Sequence, residues 1–242
     1  MATPTISTGR SITKAFAPEL LTMICGYLSQ EDLINFRLTS KACADVAAKD
    51  LVQDLHVIFT RNSFRKLLNI SKQPSLSKYV RSLYYEPRIL ISVPREEFAR
   101  MMLRQGQEAS RAFAVGWLTY CAIHTHQSRI EETYHDISSL AQALSNFTNL
   151  KKIKVNSDGP LSPKAAAIHR LTKDLDEELI LHDPEDSRRI IFRALQSILN
   201  AVYLAGTELT SFSATFRASL ARFSALFSLY IPLFYVTADS AI

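Results

Sequence analysis

Three short stretches of the 242-residue chain repeat one spacing of apolar residues: Val80, Leu83 and Tyr85; Leu150, Ile153 and Val155; and, more weakly, Leu209, Phe212 and Ala214. In each, the last two positions are two apart and share one face of an extended strand. The segments between them carry apolar residues at helical spacing. Strand-like pieces that recur after helices must bury both kinds of element in a common core, so an α/β arrangement is expected.

The spacing L-x-x-L-x-L is that of leucine-rich repeats, where a short parallel strand lines the core and a helix returns on the outer side. Here the intervals are about 70 and 59 residues, against the roughly 20 to 29 of such repeats. The expectation is therefore an irregular, leucine-rich-repeat-like helix/strand region and no regular solenoid. Its elements can be predicted in turn. LHVIFT (55–60) is β-prone; Ser63 caps a helix with Phe64, Leu67 and Leu68 on one face, and Pro74 stops it. SKYVRSLYYEP, ended by Pro87, reads as a strand, and REEFARMMLRQ after Pro94 as a helix. Two long helices are predicted over about 107–125 and 129–146. EDSRRIIFRALQSILNAVYLAG gives a further amphipathic helix with Ile190, Ile191, Ala194, Ile198 and Val202 inward and Gly206 as its stop.

The N-terminal part differs. Residues 1–15 show no apolar period and read as a mobile tail. Pro18 suits a first helical position, and Glu19 beside it favours the positive end of the helix dipole. Placed at helical steps, Met23, Tyr27, Leu20, Ile24, Leu28, Leu21 and Cys25 cover an arc of about 200°, roughly twice what a surface helix needs. Such an excess implies burial against more than the helix's own bundle. Ser29 with Asp32 approximates a capping box for a second helix bearing Leu33, Ile34, Phe36 and Leu38. Thr39 or Ser40 caps a third, whose small residues Ala42, Cys43, Val46 and Ala47 permit close approach.

The ordered pattern P-E-L-L-x-x-I-x-x-Y-L-S-x-x-D-L-x-x-F-R-L-x-S-K, over about Pro18 to Asp50, resembles the F-box, the helical module that docks on the Skp adaptor of Skp/cullin/F-box ubiquitin ligases. Ala17, Thr39 and Cys43 stand where that family commonly has Leu, Val and a large aromatic. The run Y-V-R-S-L-Y-Y-E-P and its surroundings, Leu55 to Pro87, resemble the region after the F-box in fungal F-box proteins. The resemblance implies an α-rich α/β chain with a three-helix F-box at 16–50, a substrate-recruiting region at 51–222 and an apolar C-terminal segment at 223–242. It also implies partner-binding residues Pro18, Leu20, Leu21, Ile24, Leu28, Leu33 and Phe36.

Other function classes find less in the residues. The net charge of +5 comes from scattered lysines and arginines among acids, without the basic run that nucleic-acid binding requires. Cys25, Cys43 and Cys121 are odd in number, and Arg10 and Lys14 lead into no apolar signal region, so a reducing compartment, cytosol or nucleus, is expected. Cys121, His124, His126 and His135 invite a metal reading. On a helix, however, His124 and His126 point about 200° apart and would not share an ion. Cys121 reads as a small core residue, since no oxyanion-hole motif or orienting group accompanies it as a nucleophile. The acidic run KDLDEELILHDPED (173–186) lacks the glycine and ligand alternation of a calcium loop and reads as a connector. FSALFSLYIPLFYVTA (223–238) is shorter than a membrane span and broken by Pro232. A packed strand or helix, a membrane tail, and a chain cut short relative to its relatives stand as its three readings.

The expected function is that of a non-catalytic substrate adaptor with no cofactor and no metal, partnered by a Skp adaptor, through it a cullin, and by a protein substrate, without nucleic acid or membrane. The alternative is a non-enzymatic interaction protein whose degenerate F-box never joins a ligase.

Overall fold

The chain divides into two units, residues 1–54 and 55–242, in a computed structural model that describes residues 16–90, 92–104, 110–156, 184–215 and 235–237. The N-terminal tail, the acidic connector up to residue 183 and most of the apolar segment 223–242 lie outside the described residues.

In the first unit, local chemistry sets every helix start. Pro18 opens α1 (Pro18–Cys25) at a position that has no amide to satisfy. Ser29 opens α2 (Gln30–Arg37), accepting a hydrogen bond from the Asp32 amide at 3.1 Å and donating one to the Asp32 carboxylate at 2.6 Å. Ser40, not Thr39, opens α3 (Lys41–Gln53) by accepting from the Cys43 amide at 3.1 Å. Thr39 instead donates to the Phe36 carbonyl. Cys25, Leu33 and Ala47 form the centre of this bundle, with Leu28, Phe36, Val46 and Leu51 packed around them.

The second unit holds a five-stranded sheet in the order of the sequence: β1 (Asp54–Ile58), β2 (Ser82–Glu86), β3 (Lys152–Asn156), β4 (Ser211–Thr215) and β5 (Tyr235–Thr237). β2 through β5 pair in parallel. The three stretches of repeated spacing meet in register, Leu83 beside Ile153 beside Phe212 and Tyr85 beside Val155 beside Ala214. All six side chains are buried, so the strand part of the sequence pattern describes one continuous apolar face. The step between strands is also repeated: the Lys151 and Lys152 amides both donate to the Arg81 carbonyl, and the Thr210 and Ser211 amides both donate to the Lys151 carbonyl. Tyr235–Thr237 shows that part of the apolar C-terminal segment is strand.

Helices α4 (Arg61–Ser71), α5 (Pro74–Ser77), α6 (Arg95–Arg104), α7 (Ser110–Glu132), α8 (His135–Leu144) and α9 (Pro184–Ala205) connect the strands. Three details differ from the sequence expectation. Thr60 caps α4, while Ser63 accepts from the Ile58 amide and ties the helix back to β1. Pro74 opens a new short helix, its missing amide falling where none is needed. The helix predicted to break near residues 126–128 runs on to Glu132, and the break falls at Tyr134, in the left-handed conformation at φ 50°.

The reason lies in two buried polar residues. Gln127 sits within α7, accepting from the Leu90 amide at 2.8 Å and donating to the Arg88 and Phe59 carbonyls at 3.0 and 3.3 Å. Its helical placement is what fastens the segment after β2. At the break itself, Asp136 is wholly buried, accepting from Arg193 at 3.1 Å and from the Ser197 hydroxyl at 2.6 Å. Arg193 of α9 also donates to the Glu131 carbonyl at 3.1 Å and lies over the Tyr134 ring at 5.0 Å. One guanidinium therefore adds a second donor to the Glu131 carbonyl, which also accepts from the Tyr134 amide, pairs with Asp136 in the first turn of α8, and covers the strained residue between the helices.

α9 ends as its sequence suggests. Gly206 adopts φ 61°, and the Thr207 and Gly206 amides return to the Val202 and Tyr203 carbonyls, a Schellman closure. Ile190, Ala194 and Ile198 are buried as predicted, while Ile191 and Val202 are half-buried and Leu195, Ser197 and Ala201 join the interior.

Candidate functional site

The surplus apolar arc of α1 resolves into two faces. Leu21 and Cys25, one helical turn apart, are each about 1% exposed, and Ile24 and Leu28 beside them are half-buried. Leu20 and Met23 of α1, and Tyr27 in the turn that follows its last residue Cys25, point outward with exposures of 46%, 60% and 88%. The next helix repeats the division: Leu33 is buried and Phe36 half-buried, whereas Ile34 and Leu38 are 47% and 78% exposed. A single exposed leucine is ordinary, but six large apolar side chains left in water by one small unit, Phe16 at 40% being the sixth, are the usual mark of a docking surface.

This division redistributes the roles of the candidate residues. Of the seven named from the sequence, Pro18 and Leu20 are exposed, Ile24, Leu28 and Phe36 are half-buried, and Leu21 and Leu33 are in the interior. Met23, Tyr27, Ile34 and Leu38 are further exposed apolar residues of this unit and were not among them. The signal that finds Met23 and Tyr27 is their three- and seven-residue spacing from Leu20; what the sequence lacks is the rotation of the helix, which decides whether Leu20 or Leu21 faces in.

Among the described residues the cysteines and histidines do not form a reactive group. Burial pushes the Cys25 thiol up, with the Asp50 carboxylate and Cys43 adding to the effect, so the thiolate is disfavoured. Cys121 packs beside a cluster of Leu90, Phe98, Met101, Met102 and Tyr120, in which the Tyr120 hydroxyl accepts from the Val93 amide at 2.9 Å. His124 lies 5.9 Å from the Tyr120 ring, His126 is exposed, and His135 on α8 sits edge-on to Phe64 at 6.1 Å. Among the described residues no three His, Cys, Asp or Glu side chains converge as a metal-binding group, and no helix is long and apolar enough to cross a membrane.

No family model matches this chain, nor does any curated protein or solved structure. The functional reading therefore rests on its own residues and their arrangement.

Proposed function

We propose that the chain is an F-box substrate adaptor, in which the N-terminal three-helix unit docks on a Skp adaptor and through it a cullin, while the region from residue 55 onward holds a protein target for ubiquitination. The observation that supports this best is the outward face of Leu20, Met23 and Tyr27, carried by the stretch whose residues resemble the F-box in order. A groove that receives a helix is engaged by apolar anchors on one side of it, here Leu20 and Met23 with Tyr27 in the turn after the helix, and a few buried side chains, tyrosine prominent among them, dominate such an interface. Anchors that are already exposed can be engaged without unfolding the bundle. Leu21 and Leu33 then serve a different purpose, holding the helices so that the outward residues are presented together.

In this reading the chain performs no covalent chemistry. It acts by proximity, bringing a target lysine to a ubiquitin thioester carried by another subunit, so that a bimolecular encounter becomes effectively unimolecular. Compartment follows from the partners, cytosol or nucleus.

The test is co-expression with a Skp adaptor and isolation of a stoichiometric complex. Leu20→Asp with Met23→Asp, both at exposed positions, should abolish co-purification while leaving the helical content intact. The pair Leu21→Asp and Ile24→Asp is the wrong probe, because a buried charge at Leu21 disrupts the bundle whether or not it binds anything. A folded chain that ignores the adaptor, or one whose binding survives the Leu20/Met23 change, would sink the proposal and leave an interaction protein outside any ligase.

A further inference from the structure

Alternate residues of a strand face opposite sides of the sheet. In β2, β3 and β4 one set is the apolar face already described; the other is Ser82 and Tyr84, Lys152 and Lys154, Ser211 and Ser213. The register arranges these six in two rows, Ser82–Lys152–Ser211 and Tyr84–Lys154–Ser213. His56 of β1 lengthens the second row, its ring stacked on Tyr84 at 4.8 Å and 8°. With strands about 4.8 Å apart and like-facing residues about 6.6 Å apart along each, the rows make a grid suited to an extended chain.

The two lysines are the informative part. Both are exposed, and neither makes a hydrogen bond or ion pair through its side chain among the described residues. Lysine on a strand usually guards a sheet edge against pairing with another chain. Here that explanation fails, because β3 is the middle strand of five, with β2 and β4 bonded on its two sides. Arg81 and Lys151 are exposed just ahead of β2 and β3, and the exposed acids of the segments 54–58, 81–86, 151–156 and 208–215 are Asp54, two residues before His56 on β1, and Glu208, ahead of β4. Glu86 at the end of β2 is buried and has partners of its own.

We infer that this face of the sheet receives an extended acidic segment of a partner polypeptide. Carboxylate or phosphoryl groups of the segment pair with Lys152 and Lys154, the Ser82, Ser211 and Ser213 hydroxyls supply neutral hydrogen bonds, and the stacked His56–Tyr84 rings give a flat surface for an adjoining side chain or peptide group. The inference deepens the adaptor reading, and rests on it only in making this partner a target for ubiquitination. Charge complementarity selects the acidic class, and the small number of cations selects a peptide over nucleic acid, whose binding relies on neutralising many phosphates.

The experiment uses the full chain and fluorescence anisotropy with four labelled probes: a short Glu/Ser peptide, its phosphoserine form, a Gln/Ser counterpart, and an oligothymidylate of similar length. The Glu/Ser peptide should bind with an affinity that falls as salt rises, and the Gln/Ser peptide should not. Between them, the Glu/Ser and phosphoserine peptides distinguish carboxylate from phosphoryl recognition by which binds more tightly. Lys152→Glu with Lys154→Glu should weaken binding by roughly tenfold or more, the loss of two exposed ion pairs made worse by repulsion. Arg65→Glu with Lys66→Glu makes the same change in net charge at exposed positions of α4 and should leave affinity within about twofold. Circular dichroism of both double variants should match the parent.

Equal losses in the two double variants would overturn the inference by reducing it to net charge. So would equal binding of the acidic and neutral peptides, no binding of any peptide, or tighter binding of the oligothymidylate than of the peptides. Co-purification with a Skp adaptor is a separate readout, so the sheet-face inference and the adaptor reading can fail independently.

Discussion

Replacing Gln127 by leucine should destabilise the second unit by about 2–4 kcal/mol, the sum of the polar groups it would strand. The side chain is almost fully buried and makes three hydrogen bonds, all to backbone: it accepts from the Leu90 amide at 2.8 Å and donates to the Arg88 and Phe59 carbonyls at 3.0 and 3.3 Å. Leucine is of similar size, so the cost is polar, not steric. An orphaned buried donor or acceptor costs about 1–3 kcal/mol. Leu90 and Phe59 are buried, so their backbone groups bear the full penalty, with the amide worse placed than a carbonyl that has a second lone pair. Arg88 is only half-buried, and water can reach its carbonyl. For a chain of this size, the total corresponds to a fall in Tm of roughly 5–15 °C. Trp117, the single tryptophan, packs on Phe98 and Tyr120 at centroid distances of 5.3 and 5.4 Å, so its fluorescence follows the unfolding of this unit in urea. A Gln127→Leu protein within about 0.5 kcal/mol of the parent would refute the reasoning, since it would mean that the three backbone groups find other partners at no cost.

Other expectations concern protons, thiols and caps. Burial first, then Asp136 and Glu131, push the Tyr85 phenol well above its ordinary value, with Arg193 opposing. The unfolded tyrosine then ionises first as pH rises, so the stability it contributes is complete below about pH 10 and is lost progressively above it. Denaturation midpoints across that range should show the decline. Tyr85→Phe should reduce the decline, leaving the parts of the same sign from Tyr120 and from the Cys25 thiol, and should cost nothing at pH 7, because the Tyr85 hydroxyl has no hydrogen-bond partner among the described residues. With a thiol reagent on the native protein, Cys121 should react first, while Cys25 and Cys43, both buried, should react only on unfolding; rapid native labelling of all three would contradict the burial. Ser29→Ala should cost the helical unit about 1 kcal/mol through loss of the Asp32 amide bond, measured by helical circular dichroism on heating, and Ser29→Asp should recover most of it.

Features written in local chemistry were legible from the residues. Pro18, Ser29, Ser40 and Gly206 mark helix ends because each supplies or omits a hydrogen-bonding group, or takes up a backbone turn, within four residues of itself. The alternation in Leu83–Tyr85, Ile153–Val155 and Phe212–Ala214 was legible for a similar reason, since a strand of two-residue period states its own buried face. The break between α7 and α8 was not. It is decided by Arg193, about sixty residues away, which bonds both Glu131 and Asp136, and nothing within the helix sequence announces that partner. The candidate docking surface falls between these cases: its apolar residues were countable, but the choice of Leu20 over Leu21 as the exposed one depends on how the three helices lean together.

The long intervals between the strand pieces also concealed a sheet that runs in sequence order. From Leu55 to Leu83 the interval is 28 residues, and Val52, Leu55 and Val57 carry the same spacing as the later pieces, a signal that a β-prone reading of this stretch does not by itself reveal. From Leu83 to Ile153 it is 70, yet the strand-to-strand geometry is unchanged: two successive amides meet one carbonyl at Arg81, and two more do so at Lys151. The step is set by backbone pairing and is indifferent to the length of the connection, whose closure cost grows only slowly with added residues. The added length is moreover self-supporting, because α6 and α7 gather Phe98, Met101, Met102 and Tyr120 with Leu90 into a core of their own. Helical excursions of this kind can lengthen without shifting the register of Tyr84, Lys154 and Ser213 on the other face. A surface built from strand register is thus buffered against change in the connections, which makes the sheet, more than the helices, the place where a fixed arrangement of recognition groups can be kept.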